Sequence, residues 1–240
     1  MKTIFCSLFA LAVLLVAARA DLTIVQQVDG VGPVAQMTMK IKGDKARIEA
    51  SPEVTMIFDG KTGESLTIMH GQKMVVRTSA AQAKTAMAAM AGNGGQAQGA
   101  RPKVIVTPSG RKETINGYET EEFVADGGAY KASYWVAKSY PLGDAILKQL
   151  QAMTPEAWSA GAMATPDFRD FPGLPIRTNV TMGETKVVST ITSVTMDPLP
   201  ETDFGVPQGY GEMKMPDLSS MEGAKKEAPK AAKPSPSRKR

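Results

Sequence analysis

A mainly β chain is predicted: a curved antiparallel sheet, or unclosed β-barrel, of about eleven strands with two or three helices. Three observations predict it. Apolar and polar residues alternate with period two through much of the chain. Short glycine-containing turns separate those runs at hairpin spacing. Two stretches with helical spacing interrupt the meander, and a sheet that is apolar on one face needs such a cover.

The elements follow in order. Residues 1–20, "MKTIFCSLFALAVLLVAARA", place Lys2 before an apolar run from Ile4 to Val16 and end on Ala18-Arg19-Ala20. That is the pattern of a secretory leader, with cleavage expected after Ala20. The run is short for a bilayer span, and no later stretch is longer. Cys6, the single cysteine of the 240 residues, lies within the leader. The processed chain is therefore expected to use no disulfide, thiolate zinc site or cysteine nucleophile. Residues 21–216 are expected to form one β domain, and its length suffices for an ordinary core.

"VAQMTMKIK" sets Met37, Met39 and Ile41 on one face and Thr38, Lys40 and Lys42 on the other. Gly43-Asp44 turns the chain into "KARIEA". "VTMIFDG" follows, with Val54, Met56 and Phe58 sharing a face, and Asp59-Gly60 opens the next turn. "ESLTIMH" and "QKMVVRT" are two further strands, with His70-Gly71 between them. "AAQAKTAMAAMA", residues 80–91, reads as helix from its alanine content. It leads into a loose Ala/Gly/Gln segment that ends near residue 101.

Strands resume at "KVIVT" and "RKETI", and Asn116-Gly117 is a strong hairpin signal before "YETEEFVA" and "KASYWVA". "GDAILKQLQAM" has Asp144 near its start and Ile146, Leu147 and Leu150 as an apolar face. Thr154-Pro155-Glu156 starts another helix, which carries Trp158. "IRTNVTM" and "TKVVSTITSVTM" are the last strands, and "DPLPETDFGVPQGYGEM" closes the fold as an irregular extended segment.

Residues 217–240 lack the apolar content to offset their ordering entropy and read as a disordered tail. Within it, residues 224–240 carry the basic side chains Lys225, Lys226, Lys230, Lys233, Arg238, Lys239 and Arg240 against one acid, Glu227. The chain carries +4 overall; residues 224–240 account for +6 and the leader for +2, which leaves residues 21–223 at −4. The basic character thus belongs to the ends. Such a tail suits a tether to an anionic membrane or envelope surface. No aromatic residues interleave with its charges, and nucleic acid is not expected as a partner.

Candidates for chemistry are few. His70 is the only histidine. Its place beside Gly71 between two strands favours a turn residue that tolerates unusual backbone angles over a catalytic base. No nucleophile elbow, His-Glu-x-x-His helix or phosphate-cradling glycine loop is present, so no catalytic residue, metal site or cofactor is assigned. Glu119, Glu121 and Glu122 lie on one predicted strand, where two of them alternate onto a solvated face.

"MTMKIKGDKARIEA", "MIFDGKTGESLTIMHGQKMVV", "INGYETEEFVA", "YWVAKSYPLG", "GLPIRTNVT" and "DFGVPQGY", in that order, resemble the domain-of-unknown-function 4412 (DUF4412) family. That family is similar to periplasmic lipoprotein carriers of the LolA and LolB type. The resemblance covers most of residues 22–213 and implies an unclosed barrel with helices over a concave face that receives acyl chains. It matches no ligand-contacting residue one by one.

The expected function is thus an exported, periplasmic or secreted, non-enzymatic carrier or chaperone for a lipid-like or lipoprotein acyl ligand. Methionine suits a cavity that accepts varied apolar shapes. The candidate ligand contacts are Met37, Met39, Met56, Met74, Met87 and Met90 on inward faces or helical cover, together with Trp158. Two alternatives remain: an envelope interaction protein tethered by its tail, and copper binding through the pairs Met37/Met39 and Met213/Met215 with His70.

Overall fold

The computed structural model describes residues 21–30, 35–85, 105–126, 131–153, 166 and 168–214. The expected leader, the helix start at Thr154, the methionines Met87 and Met90, Trp158 and the basic tail lie outside the described residues. Of the predicted helix over 80–91, residues 80–85 are described and helical.

The described residues form one sheet of twelve strands. The first six are β1 (Leu22–Asp29), β2 (Ala35–Lys42), β3 (Lys45–Ser51), β4 (Val54–Asp59), β5 (Glu64–Met69) and β6 (Met74–Thr78). The second six are β7 (Val106–Ile115), β8 (Tyr118–Asp126), β9 (Lys131–Ala137), β10 (Leu174–Met182), β11 (Thr185–Thr195) and β12 (Gly211–Lys214). The spatial order is β12-β6-β5-β4-β3-β2-β1-β11-β10-β9-β8-β7. Two hairpin meanders therefore join at the centre, where the first strand pairs with β11, and the sheet stays open at β12 and β7.

Three strands depart from the expectation. β1 is not marked as a strand by the sequence patterning, yet it lies at the centre of the sheet, paired on both sides. "KVIVT" and "RKETI" are parts of a single strand, β7, whose register shifts between Pro108 and Lys112. Thr107-Pro108-Ser109-Gly110 reads as a turn in the sequence. On an edge strand proline costs no ladder bond, and a bulge accommodates Gly110 at φ 79°. The last, β12, runs parallel to β6 and makes the sheet mixed.

Turn chemistry agrees with the sequence at Asn116-Gly117, where φ is 50° and 82°, the pair of left-handed residues a tight hairpin requires. At His70 it does not. The left-handed residue of that turn is Lys73, at φ 49°, and the loop spans four residues with the Lys73 amide donating to the His70 carbonyl.

One face of the first meander carries two apolar rows in register across four strands. Leu22, Ile41, Ala46 and Phe58 form the first; Ile24, Met39, Ile48 and Met56 form the second. The helix Gly143–Met153 lies over the first row. Its Ile146 and Leu147 are buried, as its spacing predicts, and Met153 joins them in the same core.

The opposite face is crossed by the chain that follows β11. Leu199 N–H donates to Asp21 Oδ2 at 2.7 Å, Lys40 reaches Asp203 at 2.8 Å, and Arg47 donates to the Asp203 carbonyl at 2.8 Å. Phe204 is buried under this strap. The strap then brings Tyr210 to His70 and ends as β12 beside β6.

Candidate ligand cavity

Most of the two apolar rows, the facing parts of β10 and β11, and the helix line a partly open cavity of about 450 Å³. Strand alternation puts these residues there. Met37, Met39 and Ile41 point into the cavity, while Thr38, between them, lines a smaller pocket on the other face. Phe58 and Ala46 wall the end nearest the helix, and Leu150 and Met153 project from the helix into the same space. On the far side Leu174, Pro175 and Ile176 line it consecutively, because a register shift between Pro175 and Arg177 breaks the alternation of β10. No described lining residue is charged. The volume falls within the range of small-molecule sites, and the walls are apolar as such sites are.

The sequence-predicted contacts are distributed unevenly. Met37 and Met39 line the cavity. Met56 shares their face, one strand beyond Ile48, but is 37% exposed and outside the lining. Met74 is half-buried near the β12 edge, close to Gly211. Residues that the sequence reading missed complete the site: Gln26, Tyr134, Thr178 and Ser189 bring polar atoms to it. Their meeting depends on register across four strands, which no short window shows.

Two polar clusters lie elsewhere. His70 Nε2 is 2.9 Å from Thr55 Oγ1, and Nδ1 is 2.9 Å from the Tyr210 hydroxyl. Thr55 is 1% exposed, so the ring joins a buried hydroxyl to the strap. The proposed copper set does not come together around it: Met37 and Met39 face the cavity, Met213 sits on β12, and Met215 is outside the described residues. No group of three His, Cys, Asp or Glu suited to a metal occurs among the described residues.

The second cluster lies on the acidic strand, where Glu119 and Glu121 share the more exposed face, as their alternation predicts, and Glu122 points the other way. Glu121 pairs with Lys138 at 2.8 Å near the surface, but Glu122 is only 2% exposed. Arg111 Nε donates to Glu122 Oε2 at 2.6 Å, its Nη2 donates to Oε1, and Ser109 Oγ donates to Oε2 at 2.7 Å. Arg111 also lies over the Trp135 ring, 5.6 Å from its centroid. The Arg111 hydrogen bonds hold the Glu122 carboxyl below the usual glutamate range against the opposing effect of burial.

The family described as a domain of unknown function, DUF4412, matches residues 22–210. The chain belongs to this family. No curated protein matches it. Solved structures similar to this DUF4412 chain include PNGF-II, at 14% identity and a TM-score of 0.40, which it matches over 85% of its own length. It spans about a third of the PNGF-II chains, 32% of their length. The lipoprotein LppX of Mycobacterium tuberculosis is similar at 11% identity and a TM-score of 0.38, over 75% of this chain and 88% of that one. LprF of Mycobacterium bovis is similar at 13% identity and a TM-score of 0.31, over 81% and 92% of the two chains. At these scores the likenesses carry no functional argument.

Proposed function

We propose that this protein is an exported, non-enzymatic carrier or chaperone that holds a lipid-like or acyl ligand on the concave face of its sheet. The observation that carries the reading is the 450 Å³ cavity whose described lining residues are uncharged and mostly apolar, with a helix over one end. Each buried methylene contributes about 0.8 kcal/mol, so about ten of them supply about 8 kcal/mol, the order of a micromolar Kd before ordering costs. Met37 and Met39 are the methionines proposed to touch the ligand, since flexible thioethers adapt to chains of different shape.

Titration with a polarity-sensitive apolar fluorophore tests this. Saturable enhancement at one equivalent is expected, together with its loss in Met39→Trp, which fills the space between the rows. A wild-type protein that gives no saturable enhancement sinks the carrier reading and leaves an interaction role for the sheet.

A further inference from the structure

The cavity is not uniform along the strands. At the helix end the Leu22, Ile41, Ala46 and Phe58 row offers only hydrocarbon and aromatic surface. Four residues along β1, about 13 Å at strand rise, Gln26 replaces the apolar residue. It begins a polar row that continues across the sheet: Ser189 Oγ donates to Gln26 Oε1, Thr178 stands directly opposite Ser189, and Tyr134 directly opposite Thr178. All four are half-buried and all four border the cavity.

Part of this polarity is unspent. Among the described residues, nothing accepts from the Gln26 side-chain NH₂, and the Thr178 hydroxyl has no partner. Both groups stay open to the cavity, so the hydroxyl or carbonyl of a ligand head can take the place of water on them, whereas an apolar chain covering them would leave them unpaired. Neither carries charge, and no described lining residue is Lys, Arg or His. A carboxylate or phosphate brought against this row would lose hydration with no cation to compensate it, whereas an ester, alcohol or amide would not.

We infer that the cavity selects an uncharged amphiphile, its chain toward the helix and its ester, hydroxyl or amide head against the Tyr134, Thr178, Ser189 and Gln26 row. The inference rests on the carrier reading and names the ligand class for the same cavity. The row sets the ligand's orientation, and the rows beneath it supply the apolar contact.

The test is competition at neutral pH against the apolar fluorophore, with the full delipidated protein. The competitors are a long-chain alcohol, the methyl ester of the matching fatty acid, and that fatty acid itself. The alcohol and ester are expected to displace the fluorophore about tenfold more strongly than the carboxylate. In Gln26→Leu and in Thr178→Val, taken separately, that preference is expected to shrink to about twofold or less, with circular dichroism and thermal unfolding used to show that each variant folds. A carboxylate that competes as well as the alcohol overturns the inference and leaves the carrier reading standing. So does a preference unchanged in both variants. A wild-type protein that binds neither fluorophore nor competitor overturns both.

Discussion

Replacing Glu122 with glutamine removes a charge from a site that is 2% exposed while preserving its shape. Three hydrogen bonds reach the carboxylate, two from Arg111 and one from Ser109. A glutamine keeps one acceptor but points an NH₂ at the guanidinium, so at least one charge-assisted bond is lost and the survivors weaken. Hydrogen bonds to charged groups contribute about 1.5–3 kcal/mol each. The cation left behind is not stranded, because the Arg111 side chain is 66% exposed and water can take over. The cost is therefore expected near 2 kcal/mol, below the roughly 3–5 kcal/mol of breaking a fully buried pair.

For a domain of this size that corresponds to a fall in Tm of about 4–8 °C, read by circular dichroism at pH 7. The pH dependence supplies the sign. Folding lowers the Glu122 pKa, so its contribution is complete above the ordinary glutamate range and is lost as pH falls through the depressed value. The gap between wild type and Glu122→Gln should therefore close on acidification. A variant within about 0.5 kcal/mol of wild type at pH 7, the scatter of ordinary surface changes, or a gap that does not change with acid, rules out a stabilising role for the Glu122 charge.

Other perturbations have equally definite outcomes. Asp21→Ala removes an acceptor, 9% exposed, that binds both Lys42 and the Leu199 amide; it should cost about 2 kcal/mol in urea denaturation and speed proteolysis within the strap. Asn116→Ala combines left-handed strain at φ 50° with loss of the bond to the Ile191 carbonyl at 2.8 Å; a loss of about 2 kcal/mol is expected by thermal unfolding. Met39→Trp should reduce fluorophore affinity at least about tenfold while costing less than about 1 kcal/mol of stability, since it fills existing space rather than overpacking a full core.

What the sequence showed and hid follows from distance along the chain. Met37, Met39 and Ile41 could be placed on one face because alternation is local, and Asn116-Gly117 could be placed in a turn because its backbone chemistry is local. Ile146 and Leu147 were legible for the same reason, through helical spacing. Glu122 looked like one more acid on a polar strand, since its partner Arg111 belongs to a neighbouring strand that a Pro-Ser-Gly bulge disguises. "DPLPETDF" has the composition of a loop, yet its Asp203 meets Lys40, 163 residues earlier, and makes the loop a strap. The polar row needed the register of four strands at once. His70 was rightly placed at a turn, but its bonds to Thr55 and Tyr210 come from strands and a strap that only the fold assembles.

The cavity is proposed to hold a lipid-like ligand in the native host. Native mass spectrometry of the protein, purified without detergent from its own host and followed by organic extraction, tests it most directly. An added mass at one equivalent, extracting into organic solvent as a lipid, is expected. A clean apo mass, with no uptake when lipid extract from the same host is added back, would contradict it.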